Sequence, residues 1–278
     1  MDKININMIK GPFQHDVCSS ALNVNKYVTW KKDKSADISC HIDYGILANV
    51  DSSKLNYGWI CESSAIVPSV IKEVVKNKND YKKKFKYIFT CDSRLVNIDK
   101  DLFKFTMPSA LPWIQNKKIY DKSKLVSFIG SNKRMCKGHT YRHEMIEKYK
   151  DDVDHFGRGF EGKELPWLIE NESGKILGLK DYMFSFAMEN TNHEFAFCEK
   201  TTDCFATGTI PIYWGGKGIS KFFDSRGIIF LEDLESVSDL TKELYESKIE
   251  YINSNFKKLD DLLSSEDYFV EKYIRGEA

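Results

Sequence analysis

The sequence predicts an α/β protein built on parallel sheets, and three observations carry that expectation. Apolar runs of strand length recur along the chain, among them LVSFIG (125–130), FSFAM (184–188) and TIPIYW (209–214). Segments with helical apolar spacing separate them, such as HTYRHEMIEKYK (139–150). Strands also deliver acids at their ends, Glu62 after YGWIC and Glu189 after FSFAM. In an open α/β sheet ligands bind just past those carboxyl ends.

Taken in order, the first half reads as strands at YVTW (27–30), GILANV (45–50), YGWICE (57–62) and KYIFTCD (86–92). The stretch between the last two spaces Val70, Ile71, Val74 and Val75 for a helix, which gives a β-α-β unit and a parallel sheet. Pro108, Pro112 and the polar stretch QNKKIYDKSK (115–124) read as a linker. Beyond it, strand and helix alternate cleanly: LVSFIGSN, the helix from 139, VDHFG (153–157), FSFAMEN, a helix from Glu199 closed by Gly208, and TIPIYWGG. A short helix ISKFFD (219–224), a strand GIIFLED (227–233), a long helix over 236–258 and a last helix in SSEDYFVEKYIR complete the reading. Two domains are therefore expected, residues 1–120 and a Rossmann-like 121–278 that ends in helices.

Composition narrows the function. A chain of 278 residues with 42% hydrophobic and 13% aromatic content builds packed cores, which excludes wholesale disorder. Its 41 basic residues balance 41 acidic ones, whereas a nucleic-acid binder carries a basic excess. No run of about 18 apolar residues is present, so no membrane span is expected. The start, MDKININMIKGPF, has no secretory apolar region. Seven cysteines without CxxC or paired metal spacing read as reduced thiols of a cytoplasmic protein.

The chemistry concentrates in residues 184–216, where Glu189-Asn190 ends one strand and Glu199-Lys200 opens the next helix. Acid and base at such a place suit a ligand with both hydroxyls and phosphates, such as a nucleotide-sugar. No GxxxxGK[ST] loop and no GxGxxG after a strand is present. The loop GSNKRMCKGH (130–139), with Ser131 and Asn132, suits phosphate contact through backbone N–H groups, and an ordinary β-α loop looks the same. Arg142, one turn into the next helix, can bind phosphate oxygens bidentately or stay at the surface in a helix salt bridge. His139 and His143 have the i, i+4 spacing of metal ligands but no intervening Glu, so capping or surface roles are preferred. The lysine run 76–86 suits peripheral contact with an anionic membrane face, although a solvated helix end is the preferred reading. Trp59, Trp113 and Trp214 suit sugar stacking or, more often, a core. Glu62 fits a general base on an acceptor hydroxyl and equally an acid at a helix N-terminus.

The combination resembles glycosyltransferase family 10, the α1,3/1,4-fucosyltransferases. Glu189-Asn190, ten residues from Glu189 to the Glu199-Lys200 pair, and Thr209-Ile-Pro-Ile-Tyr-Trp-Gly215 carry the likeness, which reaches SFIGSN, Arg142, FFDSRGIIFLED and, more loosely, GWICESSAI and YIFTCDSRL. The resemblance implies a GT-B-like fold, two Rossmann-like domains facing across a cleft, with the acceptor side in 1–120 and the nucleotide-sugar in 121–278. It implies an inverting transfer of fucose from GDP-fucose to a glycan or lipid-linked oligosaccharide, with no cofactor and no metal. Glu62 takes the place of the base, Glu199 that of the ribose ligand, and Arg142 and Lys200 those of the diphosphate ligands. Glu189 and Asn190 fall near the donor sugar and its phosphates. Two positions depart from the pattern: Cys198 stands where Thr is common, and Ala196 where an aromatic is. They leave open another nucleotide-sugar, or a module that binds one without transfer. With reduced thiols and no membrane anchor expected, the expected place of work is the cytoplasm, at the inner face of the membrane.

Overall fold

The computed structural model of the chain describes residues 2–9, 17–158 and 162–275. It consists of two α/β units, Met1–Ser109 with Leu263–Ala278, and Ala110–Leu262. The expected division after residue 120 is corrected twice over. The boundary falls ahead of Pro112, and the last helix joins the first unit rather than the second.

The first unit holds β1 (Ile4–Ile9), β2 (Val28–Lys31), β3 (Ile38–Ile42), β4 (Leu55–Ile60), β5 (Ile88–Thr90) and β6 (Phe103–Phe105). These form one sheet in the order β2-β1-β3-β4-β5-β6, parallel throughout. Helices α1 (Pro68–Lys76), α2 (Lys78–Lys84) and α3 (Ser93–Ile98) run between strands. The C-terminal helix Ser265–Phe269 belongs here because Phe269, Val270 and Ile274 pack in one core with Tyr57, Trp59 and Phe89. The Phe89 and Phe269 rings stack at 4.4 Å. Asp267 adds a polar tie, accepting the backbone N–H groups of Lys26 and Tyr27 at 2.8 and 2.7 Å.

Three strands of this sheet, β1, β3 and β6, lie outside the sequence expectation. In β1, Asn7 is fully buried, a poor choice for a strand unless satisfied. Its side chain mimics a peptide, donating to Ala36 O at 2.7 Å and accepting from Ala36 N–H at 3.0 Å. GILANV, expected as a strand, is instead a 3₁₀ turn, Asp43–Leu47, followed by irregular chain. The chain leaves β3 through Asp43 at φ +47, which turns it off the sheet. The lysine-rich segment forms α2, where Lys82 pairs with Asp99 at 2.8 Å.

The second unit contains β7 (Lys124–Ser131), β8 (Asp154–Arg158), the antiparallel pair β9 (Leu168–Ile169) and β10 (Glu172–Ser173), β11 (Tyr182–Met188), β12 (Ile210–Trp214) and β13 (Ile229–Phe230). Its five-stranded sheet runs β13-β12-β11-β7-β8, again all parallel. All seven residues of β11 are buried, as a central strand covered on both faces requires. Phe186 pairs in register with Phe128 on β7 and Ile212 on β12, and the two Phe rings stack at 4.7 Å. Helices α4 (Lys137–Lys148), α5 (Glu199–Thr207), α6 (Lys242–Glu246) and α7 (Ile249–Lys258) complete the unit. The single helix expected over 236–258 is interrupted. Ser236 and Asp239 form a capping box on a 3₁₀ turn, and Thr241 then caps α6 by accepting the Leu244 N–H at 3.1 Å. Gly208, at φ +72, ends α5 as expected.

Candidate functional site

The second unit gathers its polar side chains at the carboxyl ends of β7 and β11. Glu189 continues the ladder beyond β11, its N–H donating to Trp214 O at 2.8 Å, so the sheet itself places this carboxyl. It is 4% exposed. Oε1 accepts the Cys198 N–H at 3.0 Å, and Oε2 accepts from the Cys198 thiol at 2.9 Å. The Cys198 side chain does not cap its own helix, so Glu189 serves the N-terminus of α5 from another strand. Lys200 Nζ reaches Glu189 Oε2 at 3.3 Å and Cys198 Sγ at 2.9 Å. Burial opposes the Lys200 charge, but the Glu189 and Glu199 carboxylates outweigh it, so its pKa lies well above the usual lysine value. Burial and the adjacent Glu189 raise the Cys198 thiol far above its usual range, which keeps it a neutral donor.

Helix α4 approaches the same strand end because Gly138 lacks a side chain. A Cβ there would lie 2.5 Å from Glu189 O and 2.4 Å from Asn190 O. This contact carries Arg142 inward to 5% exposure, which removes the surface-arginine reading. Nη2 donates to Met188 O at 2.9 Å and to Asn190 Oδ1 at 3.5 Å. A guanidinium has five N–H donors in a fixed fork, so anchoring one nitrogen holds the rest at the site.

A cavity of about 260 Å³ lies here, lined by Ser131, Lys133, Arg142, Asn190, Glu199 and Lys200 among others. The structure therefore brings together five residues singled out from sequence, Ser131, Arg142, Asn190, Glu199 and Lys200. Glu189 bonds to that group from behind, through Cys198 and Lys200. Asn132 is exposed in the loop after β7 and does not line the cavity. Glu62 lies in the first unit, half-buried in the turn after β4. Its N–H donates to both oxygens of Asp43 at 3.3 Å, and the Cys61 N–H donates to Asp43 Oδ1 at 2.9 Å. Burial pushes the Asp43 carboxyl up to about 7, opposed by these N–H groups and reinforced by the Glu62 charge.

Lys133, Lys175, Asp203 and Cys204 also line the cavity; Lys133 lies in the loop 130–139 already singled out, and no sequence motif pointed to the other three. Lys175 Nζ lies 3.0 Å from Glu199 Oε1 and 3.0 Å from Asp203 Oδ2. Burial would raise the Glu199 carboxyl, yet Lys175 and Lys200 hold it well below the usual carboxylate range. Four cations, Lys133, Arg142, Lys175 and Lys200, thus meet two lining carboxylates, Glu199 and Asp203. The lining carries a cationic excess suited to a polyanion, with one ionised acid beside it suited to hydroxyls. Among the described residues, no group of three or more His, Cys, Asp or Glu side chains is placed to hold a metal ion. Nor is any described helix long and apolar enough to cross a membrane.

His139 is a correction to the surface reading. It is 3% exposed, lines the cavity, and its Nδ1 accepts the Met135 N–H at 3.1 Å. Burial, with Arg142, Lys133 and Lys200 adding to it, lowers its pKa from 6.5 to about 4. The unfolded chain therefore binds the proton more readily than the folded one between those values, so stability should fall as pH drops through that window. His139→Gln should flatten the dependence, read as the denaturation midpoint at several pH values between 7 and 4. An unaltered slope would remove His139 as its source.

The sequence model of the glycosyltransferase family 10 (fucosyltransferase) C-terminal region matches residues 119–257, half of the chain. The α-(1,3)-fucosyltransferase FucT of Helicobacter pylori is 28% identical over 104 residues, which cover 36% of this chain. The matched stretch spans 22% of that relative's own length. A crystal structure of an α1,3-fucosyltransferase with GDP shares the fold at a TM-score of 0.51 and 14% identity, over 93% of this chain and 81% of that one.

Proposed function

Because the chain belongs to glycosyltransferase family 10, we propose that it is an inverting glycosyltransferase that moves fucose from GDP-fucose to a hydroxyl of a glycan acceptor. The observation that carries the reading is the cavity in the second unit, where Arg142, Lys133 and Lys200 stand beside the ionised Glu199. In this reading Arg142 and Lys200 bind the diphosphate and Glu199 the ribose hydroxyls. Ser131 and Asn190 face the donor's sugar and phosphates, and Glu189 supports them from behind through Cys198 and Lys200, while Asn132, proposed from the sequence as a further donor ligand, stands outside the cavity lining. Residues 110–262 then form the donor side, and the first unit, with Glu62, the acceptor side.

The chemistry is a single displacement. The acceptor oxygen bonds to the anomeric carbon as the bond from that carbon to the diphosphate oxygen breaks, and the electron pair leaves with the diphosphate. Charge grows on the leaving oxygens, where Arg142 and Lys200 stabilise it. Glu62 takes the acceptor proton, a contribution of about 10²–10⁴-fold. Oxocarbenium character develops at the anomeric carbon, and one displacement inverts its configuration. The acceptor is a bacterial-type glycan or lipid-linked oligosaccharide, met at the inner face of the membrane.

Ala196 and Cys198 favour a second donor reading, another nucleotide-sugar on the same scaffold. Ala196 offers only a methyl group, and the Cys198 thiol is engaged by Glu189 and Lys200, so neither position presents the family's usual side chain. Thermal melting with GDP-, UDP- and CMP-sugars separates the two, since a ligand at 100 times its Kd adds about 2.7 kcal/mol. Selective stabilisation by GDP-fucose is expected. Selective stabilisation by a UDP- or CMP-sugar transfers the assignment to that donor, and none by any donor refutes the nucleotide-sugar reading. Product analysis by mass spectrometry then separates transfer from mere binding. A chelator is expected to leave transfer rates unchanged, because side-chain cations meet the diphosphate; a loss restored by divalent metal would contradict this.

A further inference from the structure

Lys175 reaches the cavity from the 3₁₀ turn Gly174–Gly178, not from a strand end or a helix N-terminus. Two close approaches pin that turn. A Cβ on Gly174 would lie 1.8 Å from Pro166 O, and one on Gly178 would lie 2.9 Å from Ile129 Cδ1. Between them the Ser127 hydroxyl donates to Gly178 O at 2.6 Å. The Lys175 ammonium is then fixed from three sides: Glu199 Oε1, Asp203 Oδ2 and the Trp113 ring, whose centroid is 3.9 Å away. Asp203 is itself rigid, since Oδ1 accepts the N–H groups of Trp113 and Ile114 at 2.6 and 3.0 Å.

An ammonium matched by two carboxylates adds little to the pull on a diphosphate. What it does is fix one oxygen of Glu199. We propose that Lys175 is a positioning residue for nucleotide recognition: it orients the Glu199 carboxylate so that Oε2 accepts from the ribose hydroxyls of the donor's nucleoside diphosphate. The proposal rests on the reading of this cavity as a nucleotide-sugar site. Asp203 and Trp113 act one step further out, holding the ammonium where it meets Oε1. Lys175 thereby sets selectivity for a ribose with hydroxyls rather than strength of phosphate binding.

The test is calorimetric titration of the whole chain with GDP and with 2′,3′-dideoxy-GDP, which lacks both ribose hydroxyls. The unaltered chain should prefer GDP. Lys175→Met should weaken GDP by roughly 10- to 100-fold, the range for a hydrogen bond to a charged group, and leave the dideoxy analogue unchanged. Lys175→Arg should restore part of the preference. Should Lys175→Met fold poorly because Asp203 is left unpaired, the double variant Lys175→Met, Asp203→Asn carries the same expectation without that buried charge. Equal losses for both nucleotides, or none, in a chain that binds GDP overturn the positioning role alone. Failure of the unaltered chain to bind GDP overturns the GDP-donor reading and the inference together.

Discussion

Arg142→Ala is expected to lower donor affinity and turnover together, with turnover falling by roughly 10²–10³-fold, the size seen when one preorganised donor to developing charge is removed. The expectation follows from burial and anchoring. Arg142 is 5% exposed, donates to Met188 O at 2.9 Å, and lines the cavity beside Lys200. A guanidinium held this way meets phosphate oxygens without reorganising, whereas a surface arginine contributes little. Removing it also leaves Met188 O without that donor, at a cost of about 1–3 kcal/mol. Melting of the variant should therefore be measured beside its kinetics. Arg142→Lys keeps the charge but loses the fork, and should recover only part of the activity. A folded Arg142→Ala protein with unchanged kinetics would remove Arg142 from the site.

Glu62→Gln is expected to cut turnover by about 10²–10⁴-fold, the usual contribution of a general base, while donor affinity stays constant. Such a split distinguishes a base from a structural acid. Glutamine keeps the size of the side chain, and the backbone N–H groups of Cys61 and Glu62 that bind Asp43 are untouched. The turn after β4 should therefore persist, and loss of turnover would report the missing proton acceptor. A fully active Glu62→Gln enzyme would end the assignment of Glu62 as base.

Much of this site was legible in the sequence, for a physical reason. β11 is central and covered on both faces, so its apolar run is unbroken and Glu189-Asn190 marks its carboxyl end. Gly208 stops α5, and Glu199 and Lys200 begin it directly after the extended Cys198. Arg142 was visible as a residue but not as a buried one, because its burial depends on Gly138 lying against the backbone of Glu189 and Asn190. Lys175 and Asp203 were not legible. The lysine is set by a 3₁₀ turn clamped at Gly174 and Gly178, and no periodic pattern announces such a turn.

In the fold, too, the misses have causes. β1 and β3 contain Asn7 and His41, polar groups whose partners Ala36, Gly45 and Asn56 are supplied by the surrounding chain. The last helix could be read from its pattern, but not which sheet it covers; stacking of Phe269 on Phe89 decides that.

The central claim, that the cavity of the second unit holds the donor's diphosphate and ribose, is met most directly by amide hydrogen exchange with and without saturating GDP-fucose. Slower exchange is predicted in two segments, 131–142 and 189–203, which carry Ser131, Arg142, Asn190, Glu199 and Lys200. Protection confined to other segments, or none at saturation, would contradict it.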